Sequence, residues 1–371
     1  MRRLCLFLFC LFISGCVHTQ SQTITPNGVL SIQVPDEKYA SYLKYAWSKK
    51  YPQWKNQVKF VVKPYTFTQS FDTDIIWTND IDIQYLHAML VTFDDIPYTY
   101  DVAKTMIQKE DQYEYVPIMA KGLMMFYNSR KVDETDDYEK IKGNYHYSRN
   151  MEYVFPFFVD CFRDDDIVSI KEIIYEEKMI QALKDYKKMY QTLAFSDDTL
   201  ANEVLLNDTD YGLYDSSLQL GYHQEDIGVQ KKPTYKGKAY PSFMQTYGFA
   251  VQKECEDIQF ANLFLSFARS YEGLQAFIQS QYGVVLLQEK DIKDFKIYDY
   301  TYQEMVRIMN THHLYPNVRI QENPAYSLYK LWTQSDIVGY IQNYICGNKR
   351  EEDVVKDIQN EFTNLVYDKS L

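Results

Sequence analysis

Hydrophobic and polar positions change rhythm several times along the chain, and each rhythm predicts an element. The first is an apolar run from Leu4 to Phe12, preceded by Arg2 and Arg3 and followed by Ile13-Ser14-Gly15-Cys16. It is far shorter than the roughly 20 residues a membrane span needs, and its charged start and small-residue end are those of a secretory signal. Residues 17–28 are polar and contain Pro26-Asn27-Gly28, a composition that reads as a tether. Leu30, Ile32 and Val34 then alternate with polar residues as a strand does, and beyond Asp36 the residues Tyr39, Leu43 and Ala46 fall at helical spacing. Val58–Val62 and Asp74-Ile75-Ile76-Trp77 predict two more strands, the latter ending in Thr78-Asn79-Asp80 before a helical segment with Tyr85, Leu86, Met89 and Leu90.

Strand, helix, strand, helix is the order of an α/β fold with a parallel sheet, whose ligands sit beyond the carboxyl ends of the strands. Trp77 and Asp80 fall at such an end. Farther on, Met179, Leu183, Tyr186, Met189, Tyr190 and Leu193 recur every three or four residues as one face of a helix. Two more helices are expected between residues 257 and 281, and a C-terminal one carries Val354, Val355, Ile358, Phe362 and Leu365. Roughly 350 residues beyond the signal exceed what one hydrophobic core organises, so two lobes are expected. The absence of repeats or a long linker implies that they are closely joined.

Charge narrows the partners. Cleavage after Gly15 would remove Arg2 and Arg3 and take the formal net charge from −12 to −14, a balance that repels phosphate backbones and argues against nucleic acid. Tyrosine is the compositional outlier at 35 copies, against 13 glycines and 11 prolines. Its apolar face and hydroxyl suit either the wet edge of a core or a binding cleft. Cys161, Cys255 and Cys346 match no disulfide framework or zinc spacing and read as buried free thiols, with one long-range disulfide as the alternative.

Motifs of catalysis are missing. The closest glycines, Gly221 and Gly228, are seven residues apart, which excludes a dinucleotide fingerprint, a P-loop and a Gly-x-Ser-x-Gly elbow. His312-His313 is the one histidine cluster and reads as a surface pair before Tyr315-Pro316. The acidic runs Asp136-Asp137 and Asp164-Asp165-Asp166 lack the spacing of a calcium loop. No metal or cofactor is expected. Binding gains by elimination over an exported hydrolase working through paired carboxylates, or an adhesion or scaffolding lipoprotein.

Two resemblances sharpen this picture. Ile13-Ser14-Gly15-Cys16 resembles the lipobox of bacterial lipoproteins, which implies that Cys16 becomes a lipidated N-terminus and anchors the protein outside the cytoplasm. Four collinear segments resemble the group 1 extracellular solute-binding proteins of ABC importers, the type that includes maltose-binding protein. They are Asp74–Asp80; Val116–Asn128; a series from Gly212 through Lys236-Gly237-Lys238, Phe249-Ala250-Val251 and Ala261-Asn262-Leu263-Phe264 to Glu272-Gly273-Leu274-Gln275; and the tail from Pro324-Ala325-Tyr326 to Gln359.

The resemblance implies a two-lobed α/β fold of the type II periplasmic-binding-protein kind, with a hinge and an interlobe cleft. Lobe 1 would be residues 29–119 plus about 250–323, and lobe 2 about 120–249 plus 324–371. It implies a lipid-anchored receptor that binds a carbohydrate or similar polar solute, delivers it to permease subunits and catalyses nothing. Trp77 would stack on a sugar ring and Asp80 would accept from its hydroxyls. Asp36, Glu152, Tyr153, Tyr326 and Trp332 fall near further family contacts, although Asp36 also suits a helix N-cap and Tyr326 and Trp332 also suit a core. The family's arginine after the acid is Ile81 here, its crossing-strand carboxylate corresponds to Lys121, and its aromatic platform to Ser216-Ser217-Leu218. These departures point away from maltose toward another oligosaccharide or polar solute.

Overall fold

The computed structural model describes residues 25–66, 71–93, 108–109, 112–141, 145–146, 151–192, 195–196, 210–215, 226–316, 318–347 and 349–367. The expected signal, Cys16 and residues 17–24 of the tether lie outside these residues, as does Ser216-Ser217-Leu218. Among the described residues no helix is long and apolar enough to cross a membrane.

Two large hydrophobic cores organise the chain into two α/β lobes. The first begins with β1 (Leu30–Val34), α1 (Glu37–Lys50) and β2 (Val58–Val62). Asp36 starts α1 by accepting the Tyr39 N–H at 2.9 Å, Glu37 lies in the first turn and Lys49 and Lys50 in the last, each sign matched to the helix dipole. Tyr39, Leu43 and Trp47, four residues apart, form its buried face. β3 (Ile75–Asn79) follows, then the short α2 (Ile83–Leu86). β1 pairs parallel with β2 and with β3.

β4 (Val116–Asn128) joins the lobes. Val116, Ile118 and Ala120 belong to the first core; beyond Gly122 the alternation of a strand sends Leu123 and Met125 into the second core while Met124 and Phe126 stay in the first. β5 (Tyr211–Asp215) and β6 (Ile227–Gln230) pair antiparallel with the far half of β4. β7 (Phe243–Val251) returns, from Phe243 in the second core to Phe249 and Val251 in the first. It runs antiparallel to both β3 and β4, giving the order β2-β1-β3-β7-β4-β5. The sheet is therefore mixed: its first three strands run parallel, and β7 enters antiparallel from the other lobe. A register shift at Tyr247/Gly248 bends β7, and a Cβ at Gly248 would lie 1.9 Å from the Val116 carbonyl oxygen, so only glycine fits.

The second core is helical on both sides of the chain: α3 (Met151–Phe158) and α4 (Glu176–Thr192) from the middle, α8 (Leu328–Gln334), α9 (Ile337–Cys346) and α10 (Glu351–Tyr367) from the end. α5 (Ile258–Ala268), α6 (Tyr271–Ser280) and α7 (Tyr300–Met309) complete the first. Residues 310–316 and 318 cross a third time, from Met309 in the first core to Val318 in the second. His312 pins this crossing and corrects the expectation of a surface pair. It is buried, its Nε2 lying 2.8 Å from the Leu123 carbonyl oxygen and its Nδ1 3.1 Å from that of Ile308, while His313 is exposed. Cys161 and Cys255 are buried free thiols as expected, whereas Cys346 is exposed.

The expected boundaries at 119/120 and 249/250 fall inside β4 and β7. The third expected boundary, 323/324, lies later than the change of core, because Val318 and Ile320 already belong to the second.

Candidate functional site

Polar and tyrosine side chains collect where β3 ends and the two lobes meet. β3 is buried on both faces: Ile75 and Trp77 face the first core, and Ile76 faces a smaller cluster with Ile83, Leu86 and Tyr115. The chain then turns, and Asn79 Oδ1 accepts the N–H groups of Ile81 and Asp82 at 3.0 and 2.8 Å. That turn fixes Asp82, whose Oδ2 accepts from Asn79 Nδ2 at 2.8 Å and from the Tyr65 hydroxyl. Burial and the Asp82 carboxylate together hold the Tyr65 phenol well above its ordinary range, so it stays a donor. Among the described residues Asp82 Oδ1 carries no hydrogen bond, and the residue is partly exposed.

The floor comes from the crossing strands. Lys121 on β4 sits opposite Gln245 on β7 in register, and the ammonium of Lys121 lies 5.2 Å above the Tyr247 ring. The Tyr247 hydroxyl donates to Gln245 Oε1 at 2.7 Å, and its ring meets Tyr65 edge-on at 6.0 Å, linking floor to first lobe.

The second lobe closes the ring through α8. Ser327 caps that helix by accepting the Lys330 N–H at 3.3 Å, and its hydroxyl lies 3.2 Å from the Tyr85 hydroxyl of the first lobe. The Lys330 ammonium stands 4.9 Å over Tyr85 and 4.9 Å over Tyr326, and donates to the Ala325 carbonyl at 3.0 Å. Burial lowers its pKa below that of an ordinary lysine, and the charge of Asp82 offsets part of this. Tyr65, Asp82, Tyr85, Lys121, Gln245, Tyr247 and Lys330 are all partly exposed. The arrangement offers hydroxyls, an amide, one carboxylate and two ammonium groups among aromatic faces, which suits recognition of a hydroxyl-rich molecule. A hollow of about 640 Å³ lined by Gln275, Ile278, Lys296, Tyr298 and Tyr302 shares no residue with this cluster.

The residues singled out in the sequence land differently. Trp77 is 1 % exposed, edge-on to Tyr39 at 6.0 Å and to Phe249 at 5.0 Å, so it is a packing residue with no face left for a ligand. The expectation of a stacking platform is corrected: a tryptophan in a strand with neighbours on both sides and clusters on both faces is sealed. Asp80 is 3 % exposed; its carboxylate accepts the Thr246 N–H at 2.9 Å while its own N–H donates to the Thr246 carbonyl, which ties β3 to β7. Burial pushes its carboxyl up to about 7. It underlies the site without lining it.

Asp36 is spent on the N-cap of α1. Trp332 is 1 % exposed and edge-on to Phe155 at 5.0 Å in the second core, again a packing residue. Tyr326 is buried but reaches the site through the Lys330 cation above it. Glu152 and Tyr153 lie on α3, and their side chains fall outside the described ones. The site thus keeps the end of β3 and the start of α8 as its places and changes the residues.

The sequence did not mark Asn79, Asp82, Tyr85, Tyr65 or Tyr247 as site residues. Two signals could have found them. Asn79-x-x-Asp82 is the pattern of an Asx turn closing a strand, which moves the outward acid two residues past Asp80. The tyrosine excess suits a wet aromatic site as well as a core edge, and only the sheet register defines which tyrosines meet there.

No protein-family model matches the chain, and no curated protein matches it. Solved structures do. An extracellular solute-binding protein from Staphylococcus aureus, solved with maltose, superposes with a TM-score of 0.70 at 16% identity, over 92% of this chain and 98% of that one. A cyclo/maltodextrin-binding protein complexed with maltotetraose gives a TM-score of 0.76 at 13% identity, covering 94% and 100%. A maltose-binding periplasmic protein from Listeria monocytogenes, in complex with maltose, gives 0.70 at 15% identity, covering 93% and 99%. The likeness spans both lobes and establishes the fold as that of these two-lobed proteins.

Proposed function

We propose that the protein is the extracytoplasmic solute receptor of an ABC importer, anchored by lipid at Cys16, and that it holds a carbohydrate between its lobes for delivery to permease subunits. The observation that carries this is the ring of Tyr65, Asp82, Tyr85, Tyr247 and Lys330 at the lobe junction, drawn from both lobes and from a crossing strand. The neighbours of the same fold were solved with maltose and maltotetraose. Hydroxyls of a sugar match the site's acceptors and donors, and tyrosine faces match its C–H faces.

A ligand touching both lobes favours the closed arrangement by its differential affinity for that arrangement, which is how binding becomes readable to a permease. Catalysis is no part of this reading. Asp80, the acid with a raised pKa, is sealed against Thr246, and Asp82 spends one oxygen on Tyr65 and Asn79, so the pair is not set out as two carboxylates flanking a bond.

Thermal shift against a panel of sugars, peptides and polyamines tests the proposal. One sugar class should raise the melting temperature with concentration, following RT ln(1 + [L]/Kd), and be recovered unchanged. Release of a cleaved product would favour a hydrolase instead. No shift with any solute would favour an adhesion or scaffolding role.

A further inference from the structure

The site's charge is opposite to that of the chain around it. The sequence carries 51 acidic residues against 39 basic ones, and several lysines elsewhere pair with carboxylates: Lys50 with Glu272, Lys131 with Asp210, Lys140 with Asp136, Lys349 with Asp357. Among the described residues Lys121 and Lys330 have no carboxylate within ion-pair reach. Both instead stand on tyrosine faces, Lys121 over Tyr247 at 5.2 Å and Lys330 over Tyr85 and Tyr326 at 4.9 Å each.

An ammonium has three donors and no acceptor. Lys330 uses one on Ala325, and Lys121 uses none on any described residue. Among the described residues few carboxylate or amide oxygens are open nearby. Asp80 is sealed, Asp82 offers only Oδ1, and Gln245 Oε1 already takes the Tyr247 hydroxyl. The oxygens of a neutral sugar could accept from these ammonium groups, but without a countercharge. A ligand oxyanion would take charge-assisted hydrogen bonds from ammonium groups already stripped of part of their water by the aromatic rings, and such bonds are about twice as strong as neutral ones.

Resting on the receptor reading above, we propose that the solute is an acidic carbohydrate, a sugar bearing a carboxylate or a sulfate ester, with its anionic group taken by Lys121 on β4 and Lys330 on α8 while Asp82 accepts from its hydroxyls. Because Lys330 comes from the second lobe and Asp82 from the first, such a solute would also be what draws the two together.

Isothermal titration of the full protein with three size-matched series tests this: oligogalacturonides, a sulfated disaccharide, and neutral galacto-oligosaccharides. At least one acidic series should bind about tenfold or more tighter than the neutral one, with affinity falling as salt rises. In the Lys121→Met/Lys330→Met variant that preference should shrink to about threefold or less. Neutral sugars binding as tightly as acidic ones, or a preference that survives in the variant, overturns the inference and leaves the receptor reading in place. Binding of none of the three while a peptide or polyamine binds overturns both. The comparison among wild-type series needs no variant, and single Lys330→Gln and Lys121→Gln variants serve if the double variant does not fold.

Discussion

The two sides of the lobe junction are built alike and wired differently. Each has a sealed tryptophan a few residues from its polar groups: Trp77 before Asn79, Asp82 and Tyr85 on the first side, Trp332 after Tyr326, Ser327 and Lys330 on the second. On the first side the polar groups bond one another, Asn79 holding the turn and Asp82 holding Tyr65. On the second, Ser327 caps α8 and Lys330 donates to Ala325 within the lobe, and the Ser327 hydroxyl and Lys330 ammonium also reach across to Tyr85 of the other lobe. The first side is thus preorganised by its own lobe, and the second is completed only when the lobes meet. The side that keeps its geometry in isolation can receive a ligand; the side that depends on closure can report it.

The sharpest break is to remove the shared foundation. Trp77→Ala deletes a buried side chain between Tyr39 and Phe249, and such truncations cost about 3–5 kcal/mol. Chemical unfolding should show that loss, while ligand affinity measured where the variant is still folded should change little. A stable variant with lost affinity would return Trp77 to the binding surface.

Asp80 tests the joint beneath the first side. Its carboxyl is raised from 3.8 to about 7 by burial, so the folded state holds a proton that the unfolded state has released across that window. Stability therefore falls as pH rises from about 4 to about 7, by on the order of 2–4 kcal/mol. Asp80→Asn keeps the acceptor for Thr246 without the charge. The variant should be more stable than the parent at pH 8 and lose that advantage by pH 4, read from melting temperatures across pH. An advantage independent of pH would remove the buried carboxyl as its cause.

Asp82 distinguishes the first side's internal wiring from its ligand contacts. Asp82→Ala removes the partner of Tyr65 and Asn79 as well as Oδ1, and should weaken sugar binding by about 30- to 100-fold, roughly 2–3 kcal/mol, with a smaller effect on folding because the group is partly exposed. Calorimetry and unfolding on the same variant separate the two.

What the sequence revealed and what it hid follow the same division. Apolar patterning exposed α1, β1, β2, α4 and α10 through repeated positions, and β3 as a short apolar run, since that strand is buried on both faces. The strand-helix order pointed to the end of β3 as a site region, and the family resemblance to the tail around Tyr326. The contacts there were misplaced because a strand's alternation says which residues share a face, not which face is covered. Trp77 shares the face of Ile75, and only the arrival of β7 from the other lobe and of α5 and α6 above it seals that face. β7 also hid from a local reading: the expectation of a parallel sheet has no way to include an antiparallel strand returning across the hinge. Lys121 was visible as a reversed charge, but its pairing with Gln245 and Tyr247 is a matter of register between strands more than 120 residues apart.

The finest test of the comparison is the bond between the sides. Tyr85→Phe removes the hydroxyl that meets Ser327 at 3.2 Å while leaving the ring beneath Lys330 in place. Ser327→Ala would be ambiguous, because the same oxygen also caps α8 through the Lys330 N–H. A neutral hydrogen bond of this kind contributes about 0.5–1.5 kcal/mol. If it exists only when the lobes have met, its loss should leave the unliganded melting temperature unchanged and weaken affinity by about 2- to 10-fold, chiefly through faster dissociation. Stopped-flow release of a bound sugar measures that rate. An unchanged release rate with a lowered unliganded melting temperature would mean that the two sides are already joined without a ligand, and the second side would then be as preorganised as the first.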